Sequence, residues 1–150
     1  MGAEEWAYFV PYEPNISEAL NKLRKREFEA GRYSPCCERC PFLPDAKSGG
    51  PGAGHASIEE AIRSAGASGT ASILDIHSVG EEPEDFQDGV VVPLAVDTLA
   101  DLFGTEQPTR EAILESRDAL DGFDRGQGLY VVAYEEGVPS AIFFRGLSYD

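Results

Sequence analysis

Residues 128–144 read GLYVVAYEEGVPSAIFF, and this stretch decides the fold prediction. Its two halves, 128–134 and 138–144, are rich in β-branched and aromatic residues, which favour strands. Glu135-Glu136-Gly137 lies between them. Two strand-forming runs on either side of a short turn that contains glycine are typical of a β-hairpin. The sequence therefore predicts a C-terminal β-hairpin.

Two further segments are expected to be strands. Residues 5–10 read EWAYFV, a short aromatic-rich run that is bounded by Pro11 and Pro14. Residues 70–79 contain Ile73, Leu74, Ile76 and Val79, and this β-branched content predicts a buried strand.

Four helices are expected, and two of them carry capping signals. In a capping box, a polar N-cap residue is followed three residues later by Glu. This spacing occurs in two pairs, Asn15 with Glu18 and Ser57 with Glu60. Gly31 and Gly66 are placed to end these helices. Two shorter helices are predicted over about 95–103, closing on Gly104, and from Pro108-Thr109 onward.

The resulting order is β-α-α-β-α-α-β-β, which predicts an α+β fold. We expect a single domain over 1–150, with a small, mainly antiparallel sheet that ends in the hairpin. About four helices should pack on one face of this sheet. The segment 31–56 is rich in Cys, Pro and Gly, and it is expected to be an irregular excursion from the domain.

Charge is distributed unevenly along the chain. The net charge of the 150 residues is −15, and residues 56–150 account for −14 of it, with five Lys/Arg against nineteen Asp/Glu. Nucleic-acid backbones are bound by clustered Lys and Arg, so a nucleic-acid partner is not expected. The basic run 22–26 is short and is followed by Glu27 and Glu29, which is typical of a solvated helix face. A basic protein partner is expected instead.

The densest group of acids follows the predicted strand 70–79. We assign these acids as candidate partner-binding residues, although a merely solvated loop would have the same composition. They are Glu81, Glu82, Glu84, Asp85 and Asp88.

An enzymatic alternative rests on Asp75 and His77. Side chains two positions apart on a strand share a face, so the two would form an Asp–His pair, half of a general base. The sequence nominates no nucleophile and no oxyanion hole beside this pair.

A metal-binding alternative rests on the cysteine cluster. The spacing Cys37-x-x-Cys40 allows two thiolates to bind one zinc ion, and Cys36 and His55 could complete four ligands. The chain has only three cysteines and lacks a second Cys pair, so zinc remains an alternative and no cofactor is expected.

The remaining features indicate the class of protein. No apolar run approaches the roughly 18 residues of a membrane helix. No secretory signal is recognised at the acidic start, and three clustered cysteines suit a reducing compartment. The sequence therefore predicts a small cytoplasmic interaction protein that binds and neutralises, or regulates, a basic partner protein, as immunity or inhibitor proteins do.

Overall fold

The computed structural model describes residues 3–33 and 55–149, and one five-stranded sheet lies at its centre. The sheet has the strand order β1-β5-β4-β3-β2. Its strands are β1 (Glu5–Pro11), β2 (Ser78–Val79), β3 (Val90–Pro93), β4 (Gly128–Glu135) and β5 (Val138–Leu147). Most of the excursion predicted at 31–56 lies outside the described residues.

The sheet is mixed, so the expectation of a mainly antiparallel sheet is met only in part. β5 pairs antiparallel with β1 and with β4, whereas β3 pairs parallel with both β4 and β2. β4 and β5 form a hairpin whose register shifts between Ala133 and Tyr134. Its turn consists of Glu136 and Gly137, with φ angles of 53° and 77°.

The parallel half of the sheet depends on β3, a strand that is not among those expected from the sequence. Its four residues, Val90–Pro93, pair with β4 on one side and with β2 on the other. Val91 and Val92 are fully buried. The run is short and ends in proline, so only its tertiary contacts reveal that it is a strand.

The prediction of a strand over 70–79 was wrong for all but its end. Ala71 adopts a φ of 53°, and the segment then makes a 3-10 turn over Ile73–Asp75. The Ser72 hydroxyl accepts a hydrogen bond from the Leu74 N–H and so caps this turn. The apolar residues are buried as expected, but they reach the core from a turn; only Ser78–Val79 is a strand.

The helices begin where the capping signals predict. Asn15 and Ser57 accept hydrogen bonds from the N–H groups of Glu18 and Glu60, and the Thr109 hydroxyl caps the fourth helix. The helices are α1 (Ile16–Glu29), α2 (Ile58–Ala65), α3 (Val96–Phe103) and α4 (Arg110–Glu115). No helix in residues 3–33 and 55–149 is long and apolar enough to cross a membrane.

Helices cover both faces of the sheet, not the single face that was expected. Leu20 and Leu23 of α1 pack in one apolar cluster with Trp6 and Phe144. Ile113 of α4 packs in a second cluster with residues of the opposite face, among them Val131 and Phe143, and α3 adds partly buried side chains there. The α+β prediction is confirmed, with the sheet between two layers of helices.

Candidate functional site

The acidic loop, defined here as residues 80–89, joins β2 to β3. Because these strands are parallel neighbours, the loop runs back along the edge of the sheet from the carboxyl end of β2 to the amino end of β3. The Gly80 N–H donates to the Val91 carbonyl at 2.8 Å, and the Gly89 N–H donates to the Gly126 carbonyl at 2.7 Å. Backbone hydrogen bonds therefore fix both ends of the loop.

Glycine is required at both ends because other groups approach the backbone closely. A Cβ on Gly80 would lie 2.9 Å from the Cβ of Asp85. Gly89 has a φ of +79°, and a Cβ there would lie 2.3 Å from Cδ2 of His77. A side chain at Gly80 would collide with Asp85, and one at Gly89 would strain the backbone at positive φ and force the exposed His77 ring to move.

Asp85 organises the first turn of the acidic loop. Its Oδ2 accepts hydrogen bonds from the N–H groups of Glu81 at 3.2 Å and Glu82 at 3.0 Å. Its own N–H donates to the Glu82 carbonyl at 3.1 Å. An Asp side chain that bonds to nearby backbone N–H groups stabilises a turn, so Asp85 is a structural member of the loop as well as an acidic one.

All five acids that the sequence nominates lie in this one loop, and all are exposed. They are Glu81, Glu82, Glu84, Asp85 and Asp88. Within the described ranges, none of them forms an ion pair. The loop therefore presents a concentrated negative surface to solvent.

Phe86 lies within this loop and was not predicted as a site residue. Its side chain is 37% exposed, which places an aromatic ring among the carboxylates. The signal in the sequence is that Phe86 stands between Asp85 and Gln87, with no apolar residue within two positions on either side. An exposed aromatic residue with a charged rim is a common arrangement at protein interfaces.

A second acidic loop, residues 120–127, borders the first. It precedes β4 as the acidic loop precedes β3, and these two strands are parallel, so both loops reach the same end of the sheet. The bond between Gly89 and Gly126 joins them. Asp121 and Asp124 are exposed here, beside the exposed cation Arg125. The acidic surface therefore extends beyond the five acids of the first loop.

Asp75, the first residue of the predicted catalytic pair, is buried in the 3-10 turn, with 7% of its surface exposed. Its Oδ1 accepts hydrogen bonds from the Thr70 N–H at 2.7 Å and from the Thr70 hydroxyl at 2.8 Å. Burial raises the pKa of Asp75, and the bonds from Thr70 offset part of that rise. Asp75 thus holds the strained segment around Ala71 in place.

His77, the second residue of that pair, is exposed, and its ring packs against Gly89. Among the described residues, no hydrogen bond joins it to Asp75. The expected common face assumed the alternation of a strand, and the 3-10 turn replaces that alternation. A catalytic role for the two residues stays a prediction.

The metal-binding alternative falls mostly outside the described residues, because Cys36, Cys37 and Cys40 are not among them. His55 is described, and its Nδ1 lies 2.8 Å from the hydroxyl of Tyr33. In the described ranges, no group of three His, Cys, Asp or Glu side chains is placed to hold a metal ion. Zinc binding by this cluster stays a prediction.

The basic run on α1 makes contacts within its own chain. Lys22 pairs with Glu13, Lys25 lies 3.8 Å from Glu29, and Arg26 lies 3.7 Å from Glu27. Arg24 donates from Nη2 to the Leu74 carbonyl at 3.2 Å, and burial lowers its pKa. These side chains are thus partly neutralised locally.

An open groove of about 630 Å³ lies beside the acidic loop, between β2 and the start of α1. Its wall includes Asn15, Ser17, Glu81 and Tyr130. A partner side chain that enters this groove would meet the first carboxylate of the loop.

The acidic loop can bind a partner through its carboxylates and through the aromatic ring of Phe86. Such a surface suits guanidinium and ammonium groups, which carboxylates bind through charge-assisted hydrogen bonds. Comparisons of this chain with protein-family models, with curated proteins and with solved structures find no match.

Proposed function

We propose that this chain is a small cytoplasmic interaction protein that binds a basic partner protein through the acidic loop and neutralises or regulates it, as immunity and inhibitor proteins do. One observation carries the proposal. The five carboxylates of the loop are exposed and without ion pairs in the described residues, and they lie in the same loop as the exposed ring of Phe86.

Charge would act mainly on the rate of association. Opposite potentials on two proteins steer their encounter and raise the association rate constant, while each charge at the rim adds little affinity of its own. The net charge of −15 extends this attraction beyond the loop. A basic partner would therefore bind quickly, and salt would slow its binding.

Phe86 would supply affinity that charge does not. Aromatic side chains that become buried at the centre of an interface carry much of the binding energy, and a polar rim keeps water away from them. The hydrogen bonds at Gly80, Asp85 and Gly89 hold the loop in shape before binding. This order in the free protein would reduce the entropy lost on association.

The test compares two variants with the same change in net charge. In the loop variant, the five acids of the acidic loop are replaced by Gln or Asn; Asn at position 85 keeps an oxygen that can accept the bonds from Glu81 and Glu82. The control variant neutralises five exposed acids on and around α3 and α4. These are Asp97, Asp101, Glu106, Glu111 and Glu115.

Each variant is immobilised and exposed to native lysate at low ionic strength, and the retained basic proteins are identified by mass spectrometry. The wild type and the control variant should retain one basic protein saturably, and the loop variant should bind it at least about tenfold more weakly. Equal losses in both variants would indicate non-specific attraction, and this result would refute the proposal. So would the failure of the wild type to retain a basic protein.

Phe86→Ala tests the aromatic contribution, with Leu114→Ala as its control, since Leu114 is 46% exposed on α4. With the purified partner, Phe86→Ala should raise the dissociation constant about tenfold or more, and Leu114→Ala should leave it within about twofold. The proposal for Phe86 fails if the two substitutions have the same effect.

The enzymatic and zinc alternatives are tested separately. If Asp75 and His77 form a catalytic pair, His77→Gln should abolish turnover while the thermal midpoint of unfolding stays within a few degrees. If Cys36, Cys37 and Cys40 bind zinc, protein purified without chelator should contain one zinc ion per chain.

A further inference from the structure

The outer edge of β1 carries unpaired backbone groups. At the two ends of β1, Glu4 forms a backbone hydrogen bond with Ser148, and Tyr12 forms one with Ser140. In the antiparallel register with β5, the even-numbered residues of β1 therefore direct their N–H and C=O groups toward β5. The N–H groups of Glu5, Ala7 and Phe9 therefore point away from the sheet. Within residues 3–33 and 55–149, none of these three N–H groups has a hydrogen-bond partner.

Within residues 5–11, β1 itself lacks several of the features that usually prevent edge strands from pairing. Natural edge strands are often very short, or they carry charges or proline in their interior. β2, at the other edge, has only two residues. β1 has seven, and it has no charged residue between Glu5 and its last residue, Pro11.

Charge changes sign along this edge. Glu4 and Glu5 lie at the start of β1, and both are exposed; Glu5 also accepts a hydrogen bond from the buried Arg145 guanidinium at 3.2 Å. Near its end, two cations, Lys22 and Arg26, and one acid, Glu13, border a groove of about 370 Å³ beside Val10. On the opposite face of the sheet, the Arg110 guanidinium lies 4.3 Å from the centre of the Phe9 ring.

We propose that β1 pairs antiparallel with β1 of a second copy of this chain, about a two-fold axis at Ala7. In this register Ala7 pairs with Ala7 of the second copy, and Glu5 pairs with Phe9 of the second copy. All three outward N–H groups then have a carbonyl partner, and Pro11, which has no N–H, stays outside the paired region. The two five-stranded sheets become one continuous sheet.

The register places Glu5 near Arg110, which forms no ion pair among the described residues, and it places Glu4 near Lys22 and Arg26, which are partly neutralised by Glu13 and Glu27. Residues directly opposite in an antiparallel pair have Cβ atoms about 5 Å apart. Glu5 of one copy lies opposite Phe9 of the other, where Arg110 is stacked. Glu4 lies opposite Val10, beside the groove that Lys22 and Arg26 border. The two-fold axis repeats each contact, which makes the surface complementary to itself.

Two features favour a second copy over another partner: the register pairs all three outward N–H groups, and it brings Glu5 close to Arg110. The long-range repulsion between two chains of net charge −15 opposes pairing, but at 0.15 M salt charges more than about 8 Å apart are largely screened. One added strand buries little surface, so we expect a weak dimer with a dissociation constant of roughly 10 µM to 1 mM.

Register-specific cross-linking tests the proposal. In a chain with Cys36, Cys37 and Cys40 replaced by Ser, Ala7→Cys places two thiols across the axis. Hydrogen-bonded neighbours have Cα atoms about 5.5 Å apart, a distance that a disulfide can span. Pro11→Cys is the control, because Pro11 is exposed on the same edge but would lie about 27 Å from its copy.

Under mild oxidation at 0.15 M salt, Ala7→Cys should form a covalent dimer at least about tenfold faster than Pro11→Cys. Equal rates would overturn the proposed register. The outcome does not depend on a basic partner, so this test is independent of the proposed function.

Sedimentation equilibrium gives the second test. The wild type should show a concentration-dependent dimer, and Ala7→Pro should weaken it about tenfold, because the substitution removes the central N–H without disturbing a bond to β5. Arg110→Glu should weaken it about fivefold, while Arg63→Glu, the same change on exposed α2, should have no effect. A wild type that stays monomeric at 1 mM, or a dimer that tolerates Ala7→Pro, would overturn the proposal.

Discussion

The Gly89 N–H donates a hydrogen bond to the Gly126 carbonyl at 2.7 Å, and this hydrogen bond joins the acidic loop to the loop before β4. The same glycine supports the ring of His77 on its other side. Gly89 is therefore the point at which two acidic loops and the end of the 70–79 segment meet.

Gly89→Ala should destabilise the protein markedly. The residue has a φ of +79°, and a Cβ would overlap the His77 ring. Gly104→Ala is the matched control, since Gly104 has a φ of +69° but no atom near its missing Cβ. We expect about 1 kcal/mol lost for Gly104→Ala and about 2–4 kcal/mol for Gly89→Ala, measured by urea unfolding. Similar losses would show that the contact with His77 is unimportant.

Asp75→Asn should change how stability depends on pH. Burial raises the pKa of Asp75 in the folded state above its value of 3.8 in the unfolded chain. Between these two pKa values the folded state binds more protons, so the contribution of Asp75 to stability falls as pH rises. The difference in unfolding free energy between the variant and the wild type should therefore shift in favour of the variant from pH 4 to pH 7. A constant difference would contradict this account.

Tyr8→Phe should reduce the loss of stability at alkaline pH. Burial raises the pKa of Tyr8 to about 12, from 10.0 in the unfolded chain. From pH 10 to 12 the unfolded state therefore loses the proton first, and the stability that Tyr8 contributes declines. Unfolding at pH 8 and pH 11 should show a smaller decline in Tyr8→Phe. At pH 8 the variant should lose about 0.5–1 kcal/mol, because the long bond from the Ile73 N–H is gone.

Glu136→Asn should stabilise the hairpin. Glu136 and Gly137 both have positive φ, the geometry of a type I′ turn, and Asn-Gly is the preferred pair in that turn. The expected gain is about 0.5–1 kcal/mol in the unfolding free energy. Glu135→Asn, at the last position of β4, serves as the control and should bring no gain. If both substitutions act alike, turn geometry is not the cause.

The local signals in the sequence predict the parts of the fold that local interactions determine. Asn15 and Ser57 cap their helices because their side chains reach N–H groups only three residues away. β3 has no such signal, since Val90–Pro93 becomes a strand only through pairing with β4, which lies far along the chain. The parallel half of the sheet was missed for this reason.

In the candidate site too, the features set by residue type could be predicted, and those set by backbone conformation or strand pairing could not. The acids of the loop could be recognised from composition, because charge alone places them at the surface. The expectation that Asp75 and His77 share a face assumed a strand conformation. The left-handed φ of Ala71, which precedes the 3-10 turn, is not apparent from its residue type. Predicting that Asp121 and Asp124 lie near the acidic loop would have required knowledge of the parallel pairing of β3 with β4.

In the cell, β1 can pair with β5 only after nearly the whole chain has been synthesised. Glu4 and Ser148 are hydrogen-bonded although 144 positions separate them, so β1 emerges from the ribosome long before its partner exists. Until then the aromatic residues of β1 have no strand to pack beside. When β1 finally pairs with β5, closing so long a loop of chain carries a large entropic cost. We therefore expect the nascent chain to depend on chaperones that shield β1 until the hairpin is complete.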